Sequence, residues 1–240
     1  MSVAFPKTTS SDWVEGFWKG VGEACRETST SVIGGDTTVS PSQIFLSATV
    51  LGRHPEGKPL QRNTAKVGDV VYVTGWLGDS AAGLRCLQSG VEFEALLERH
   101  RRPKARIEWG ERLGKAAHVN ACMDVSDGLI QDLGHMVTES QVGIQVFGEQ
   151  VPLSEAFRSW SRGLSMDDAI VFACTGGEDY ELVFTAPPLS EGMLKDLNGI
   201  PCTAIGRVVP IEERPSVTLF GSDETALSVP TGGWDPFRAG

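Results

Sequence analysis

The 240-residue chain carries 31 acidic and 21 basic residues, a formal net charge of −10, so as a whole it repels nucleic acid and anionic membrane. With 40% hydrophobic and 22% charged residues and a mean hydropathy of −0.09 it has the balance of an ordinary globular protein, and no apolar run approaches the ~20 residues a bilayer span needs. The opening MSVAFPKTTSSDW lacks a basic n-region and a long apolar core, so no secretory signal is read there and a cytoplasmic location is expected.

Residues 12–27 place Val14, Phe17, Trp18, Val21, Ala24 and Cys25 at helical spacing, with Asp12 as a candidate N-cap. Ser31–Ile33 reads as a short strand ending in Gly34-Gly35, Asp36 falls in the turn that follows, and Ile44–Leu51 reads as a second strand. The polar HPEGK stretch marks a junction within 54–66, which divides the chain into a remnant unit over 1–58 and a second domain over 59–240. One helix and two strands bury little by themselves, so the first unit is expected to lack partners.

In the second unit Val70–Thr74 predicts a buried strand, followed by a helix that opens DSAAGL with Asp79 as its N-cap. Helices follow over 93–100 and 103–117, Pro103 suiting a first turn. Val119–Val125 predicts a strand running through Ser126-Asp127-Gly128 into a helix with Leu129, Leu133, Met136 and Val137 on one face. A helix over Ser165–Ala173, a Gly176-Gly177 turn, a strand over Tyr180–Thr185, a helix near 190–197 and strands over 202–209 and 215–220 complete an α/β alternation. Five cysteines, odd in number and without a C-x-x-C pair, predict buried reduced thiols rather than a disulfide framework or zinc knuckle.

Three acidic clusters stand where loops meet element ends: Asp36 in GGDTT, Asp124 and Asp127 in MDVSDGL, and Glu178 with Asp179 in GGEDYEL. Glycine pairs let backbone approach a ligand closely, and the adjacent carboxylates offer hard oxygen donors to Mg²⁺. Asp127 beside a helix N-terminus faces N–H groups that favour anions, although on its own it could equally be a cap, and Asp36 an ordinary turn residue. Arg62 could grip a phosphate or remain a solvated surface charge. The four histidines stand far apart, outside any H-x-x-x-H arrangement, and are taken as structural. A P-loop, an EF-hand loop, the protein-kinase HRD and DFG motifs and G-x-S-x-G are all missing from the sequence.

The ordered series GGDTT, LQRNTAKVGDVVYVTGWLGDSAAGL, HRRPKARIEWG, MDVSDGLIQDLGHM, GGEDYELVFT, AIGRV and GWDPF resembles the thiamine-monophosphate kinases from about residue 30 to the C-terminus. GDSAAGL, DVSDGL and GGEDYEL together set that family apart from the aminoimidazole-ribonucleotide and selenophosphate synthetases and the hydrogenase-maturation protein. The resemblance implies a two-domain α/β (α+β) synthetase-like fold, here with an incomplete N-terminal ATP-binding domain and a complete C-terminal mixed-sheet domain. It also implies a homodimer, several Mg²⁺ ions, and direct in-line transfer of the γ-phosphoryl group of ATP to thiamine monophosphate. By matching position, Gly35, Asp36, Arg62 and Ser126 would bind nucleotide, and Asp36, Asp124 and Asp127 would bind metal. Glu178 and Trp234 would line the substrate pocket, where an aromatic face can stack on a cationic heterocycle. Trp234 could also be a plain packing residue.

Family members carry a further N-terminal segment with an I-G-D-D-A-like turn and a His-containing substrate loop, so the chain is expected to start mid-domain. Two alternatives follow: a fragment that binds ligand without turnover, or another ATP-dependent synthetase of the superfamily.

Overall fold

β-branched and aromatic residues that alternate between two faces build the larger of two sheets, and the rest of the second unit is arranged around it. The computed structural model describes residues 1–53 and 59–230, so Trp234 and the HPEGK stretch lie outside the described residues. The chain divides into two compact units, Met1–Glu56 and Gly57–Gly240.

In the first unit, strand β1 (Ser2–Pro6) leads through helix α1 (Ser11–Glu27) to β2 (Asp36–Ser40), which pairs parallel to β1, and β3 (Phe45–Ser47) pairs antiparallel on its other side. A parallel pair requires a crossover, and α1 supplies it. The hydroxyl of Ser10, not Asp12, caps α1 by accepting the N–H of Trp13 at 3.3 Å. Trp13 and Phe17 stack at 5.7 Å, and both meet Phe5 of β1 edge-on. Val3 alone is buried among residues 1–53, and no residue of α1 is.

Three expectations for this unit are corrected. Ser31–Ile33 forms no strand, because the ladder with β1 begins one turn later at Ser2↔Asp36. Asp36 is therefore the first residue of a strand rather than part of a turn, and Ile44–Leu51 contracts to β3. Strand β1 itself went unread in the sequence.

In the second unit the strands are β4 (Val70–Thr74), β5 (Ala121–Val125), β6 (Gly143–Phe147), β7 (Glu181–Ala186), β8 (Cys202–Val209) and β9 (Val217–Phe220). They form one sheet in the order β5-β7-β4-β8-β6-β9, antiparallel except for the β6–β9 pair. The helices are α2 (Asp79–Ser89), α3 (Glu94–Arg101), α4 (Ile107–Lys115), α5 (Leu129–Ser140), α6 (Glu155–Trp160), α7 (Met166–Thr175) and α8 (Glu191–Leu194). Alternation along β4 sends Val71 and Val73 to one face, into a core with Leu129, Leu133 and Met136 of α5, Ile170 of α7 and Phe157 of α6. Tyr72 points the other way, stacks on its cross-strand partner Phe184 at 5.2 Å, and joins Trp109 and Leu113 of α4. The result is a mixed sheet covered on both faces, an α/β fold as expected.

The helix starts differ from the sequence reading. Asp79 is not the cap of α2: Gly78, in the left-handed region at φ 86°, precedes the helix, and Asp79 is its first residue. Helix α4 starts at Ile107, four residues after Pro103, and the helix near 190–197 is a single turn. Strand β6 and helix α6 also went unread, although Ser154 caps α6 by accepting the N–H of Phe157 at 2.9 Å. All five cysteines are free, with Cys86 and Cys174 buried and the others partly so. Among the described residues no helix is long and apolar enough to cross a membrane.

Candidate functional site

The antiparallel register of β5 on β7 sets Asp124 opposite Leu182 and Val125 opposite Glu181, so the loops at their ends, 126–128 and 176–180, leave the sheet side by side. Backbone bonds then join them. Glu178 donates its N–H to the Ser126 carbonyl at 2.7 Å, and Tyr180 donates to that of Val125 at 2.8 Å. The approach is too close for side chains. A Cβ on Gly177 would stand 2.7 Å from the Ser126 carbonyl oxygen, and one on Gly128, which has φ 116°, would stand 2.9 Å from that of Thr175. The structure therefore brings Asp124, Ser126, Asp127 and Glu178 into one neighbourhood, with Asp124 and Glu178 exposed.

Asp127 does not cap α5. Its carboxylate accepts from Gln131 Nε2 at 3.3 Å, and the N-cap position is Gly128. Asp132, buried in the first turn of the helix, reaches back instead and accepts the N–H groups of Ser126 at 3.0 Å and Asp127 at 3.1 Å. Those two donors are thus engaged inside the protein rather than left for an anion. Burial pushes the Asp132 carboxyl up to about 6; the two N–H bonds oppose that rise, and the charges of Asp127 and Asp124 add to it. Among the described residues Asp127, Asp132 and His135 offer ligand atoms that all lie within 4.8 Å of one another. Carboxylate oxygens are the hard donors Mg²⁺ takes, and a cation would relieve the mutual repulsion of Asp127 and Asp132, so these two carboxylates fit that ion, whereas the imidazole nitrogen of His135 is a donor for softer metals. The sequence reading passes over Asp132 and treats His135 as structural. The D-x-x-D-G pattern stops short of Asp132, and only the helical turn returns it to the loop.

Arg62 pairs with Glu139 at 2.5 Å near the C-terminal end of α5, roughly 15 Å along that helix from Ser126 at 1.5 Å per residue, so the structure does not bring Arg62 and Ser126 together. In the first unit Asp36 is exposed and donates its N–H to the Met1 carbonyl at 3.1 Å. Gly35 is required there by packing, since a Cβ would lie 1.7 Å from that same oxygen.

Behind the 176–180 loop, Asp179 is buried and accepts the N–H of Gly78 at 2.8 Å and that of Ser80 at 3.4 Å, where α2 begins. Burial dominates its titration and pushes the carboxyl up to about 8. Asp79, buried beside it, accepts from Ser154 Oγ at 2.6 Å and is also raised, chiefly by burial. A cavity of about 630 Å³ opens nearby, lined among others by Trp76, Asp79, Arg99, Arg102, Lys104 and Arg106.

Residues 66–217 match the family model described as AIR synthase related protein, C-terminal domain, and residues 1–54 match the corresponding N-terminal domain. The chain is 40% identical over 205 residues to the thiamine-monophosphate kinase of Escherichia coli (strain K12), covering 82% of this chain and 61% of that protein. It is 36% identical over 242 residues to the thiamine-monophosphate kinase of Aquifex aeolicus (strain VF5), covering 99% of this chain and 73% of that protein. It is also similar to a solved structure of AaThiL complexed with AMPPCP and TMP, with a TM-score of 0.78 at 33% identity, over 98% of this chain and 72% of that one.

Proposed function

Given that the chain belongs to the thiamine-monophosphate kinase family, within the AIR synthase related proteins, we propose that it transfers the γ-phosphoryl group of ATP directly to thiamine monophosphate, giving thiamine diphosphate. The observation that carries this reading is the backbone junction of the 126–128 and 176–180 loops, which joins the carboxylate loop proposed to hold cations to the loop proposed to meet the acceptor. The AaThiL complex with AMPPCP and TMP supports the same pair of ligands.

In this reading Asp36, Asp124 and Asp127 hold Mg²⁺, which when bound neutralises charge on the transferring phosphates. Ser126 and Gly35 bind nucleotide. Arg62, which pairs with Glu139 about 15 Å along α5 from Ser126, contacts a different part of the nucleotide on exchanging Glu139 for phosphate. Asp132 orients the Ser126-Asp127 backbone. Glu178 and Trp234 bind the thiamine moiety, and the acceptor phosphate, already ionised at neutral pH, attacks in line without a strong base. A cytoplasmic homodimer belongs to the same proposal, supported by apolar surface on the first unit such as Val39 (61% exposed) and Phe45 (64%), which a second copy would cover.

Incubation with ATP, Mg²⁺ and thiamine monophosphate is expected to yield ADP and thiamine diphosphate in equal amounts, with nothing formed when a chelator is present. ADP release with a different acceptor would move the chain to another reaction of the superfamily. Ligand binding without product would leave this chain a binding module.

A further inference from the structure

The segment HRRPKAR (100–106) belongs to the family pattern, yet the proposed function gives it no task. Its last residue, Arg106, forms a bidentate fork on Glu181: Nε donates to Oε2 and an Nη to Oε1, each at 2.5 Å. Arg99 adds a bond to Oε1 at 3.0 Å. The Thr74 hydroxyl donates to Oε2 at 2.9 Å and accepts the N–H of Leu182, also at 2.9 Å. Glu181 is wholly buried, and Gly75 passes so near that a Cβ there would lie 2.1 Å from its carboxylate.

Glu181 is the root of the 176–180 loop. Two residues of that segment hold left-handed backbone without being glycine, Glu178 at φ 70° and Tyr180 at φ 50°. Such conformations persist only where the surroundings over-determine them. Asp179 and Glu181 provide that constraint, one tied to the start of α2 and the other to Arg106, Arg99 and Thr74, while Glu178 between the loop junction and Asp179 stays exposed. Removing one partner of a buried ion pair leaves an uncompensated charge, so Glu181 cannot keep its place unless its guanidinium partners remain.

We propose that Arg106, assisted by Arg99, is a positioning residue that holds Glu178 at the acceptor site by clamping Glu181 at the root of the 176–180 loop. The acceptor part of this statement rests on the proposed function, whereas the clamp itself does not.

The test is steady-state kinetics of Arg106→Met and Arg106→Lys on the full chain, together with amide hydrogen exchange over residues 176–182. Arg106→Met is expected to raise KM for thiamine monophosphate about tenfold or more while KM for ATP changes less than about threefold, and Arg106→Lys, which keeps the charge but loses the fork, falls between. The amides of Glu178 and Tyr180 should lose protection while those of β6 keep theirs. Adding Arg106→Met to Glu178→Ala should raise the acceptor KM no further, because both changes remove the same interaction. Equal shifts in both KM values, additivity with Glu178→Ala, or unchanged loop protection overturns the proposal. If Arg106→Met does not fold, Glu181→Gln, which preserves shape, must show the same split. If the unaltered protein makes no thiamine diphosphate, the acceptor reading fails and the exchange measurement alone decides the clamp.

Discussion

The carboxyl of Asp179 accepts the backbone N–H of Gly78, 101 residues away in sequence, at 2.8 Å, and so ties the loop that carries Glu178 to the start of α2. Because the contact is buried, it is sensitive to charge. The folded-state titration near 8 stands far above the ~3.9 of an unfolded aspartate, so the folded state retains a proton that the unfolded state loses. The resulting stability is fully present below pH ~4 and is lost as pH rises through about 8. Asp179→Asn, which mimics the protonated form, should match the unaltered protein only at about pH 4 or below and exceed it by a margin that widens as pH rises to about 8. Within that window the difference changes by at most about 1.4 kcal/mol per pH unit, measurable by urea unfolding. Parallel pH profiles for the two proteins would refute the shifted titration.

Among the described residues Asp132 is the only side chain that holds both the Ser126 and Asp127 amides. Asp132→Ala leaves two donors of a part-buried loop without their acceptor, and should cost about 2–3 kcal/mol in chemical denaturation. In kinase assays it should also raise the Mg²⁺ concentration needed for half-maximal rate. An unchanged Mg²⁺ dependence would separate Asp132 from the cation-binding loop.

Asp124 is exposed and Asp127 only partly buried, so neither anchors the core. Asp124→Ala and Asp127→Ala should each shift stability by no more than about 0.5 kcal/mol while lowering turnover by a factor of a hundred or more, on the order expected when phosphoryl-transfer electrostatics are removed. Normal rates in either variant would take that residue out of the metal site.

At Gly75 the backbone has φ 62° and the Glu181 carboxylate fills the space a Cβ would need. Gly75→Ala combines backbone strain with disruption of the buried ion cluster and should destabilise the second unit by about 3 kcal/mol or more. A thermal scan that finds it within a degree or two of the unaltered protein would mean that Glu181 is held less rigidly than the distances imply.

Local patterns were enough to reveal most of this molecule. VVYVT is apolar and β-branched throughout, α5 repeats Leu129, Leu133, Met136 and Val137 at helical intervals, and MDVSDGL and GGEDYEL announce their loops through glycines beside acids. The missed elements carry weaker local signals: β1 and β6 are five-residue strands whose partners lie far along the chain, and α6 is little more than one turn. Trp234 lies beyond what the structure describes.

The sequence alone determined the family, the α/β class and the acidic loops, because spacing and turn chemistry are properties of neighbouring residues. Tertiary structure alone decided that Asp132 serves the loop before its own helix, that Arg62 pairs with Glu139, and that Glu181 gathers Arg99, Arg106 and Thr74 from 75 to 107 residues away. No local pattern encodes such partners. They are selected when a carboxylate leaves water and must find compensating charge and hydrogen bonds wherever the folded chain brings them.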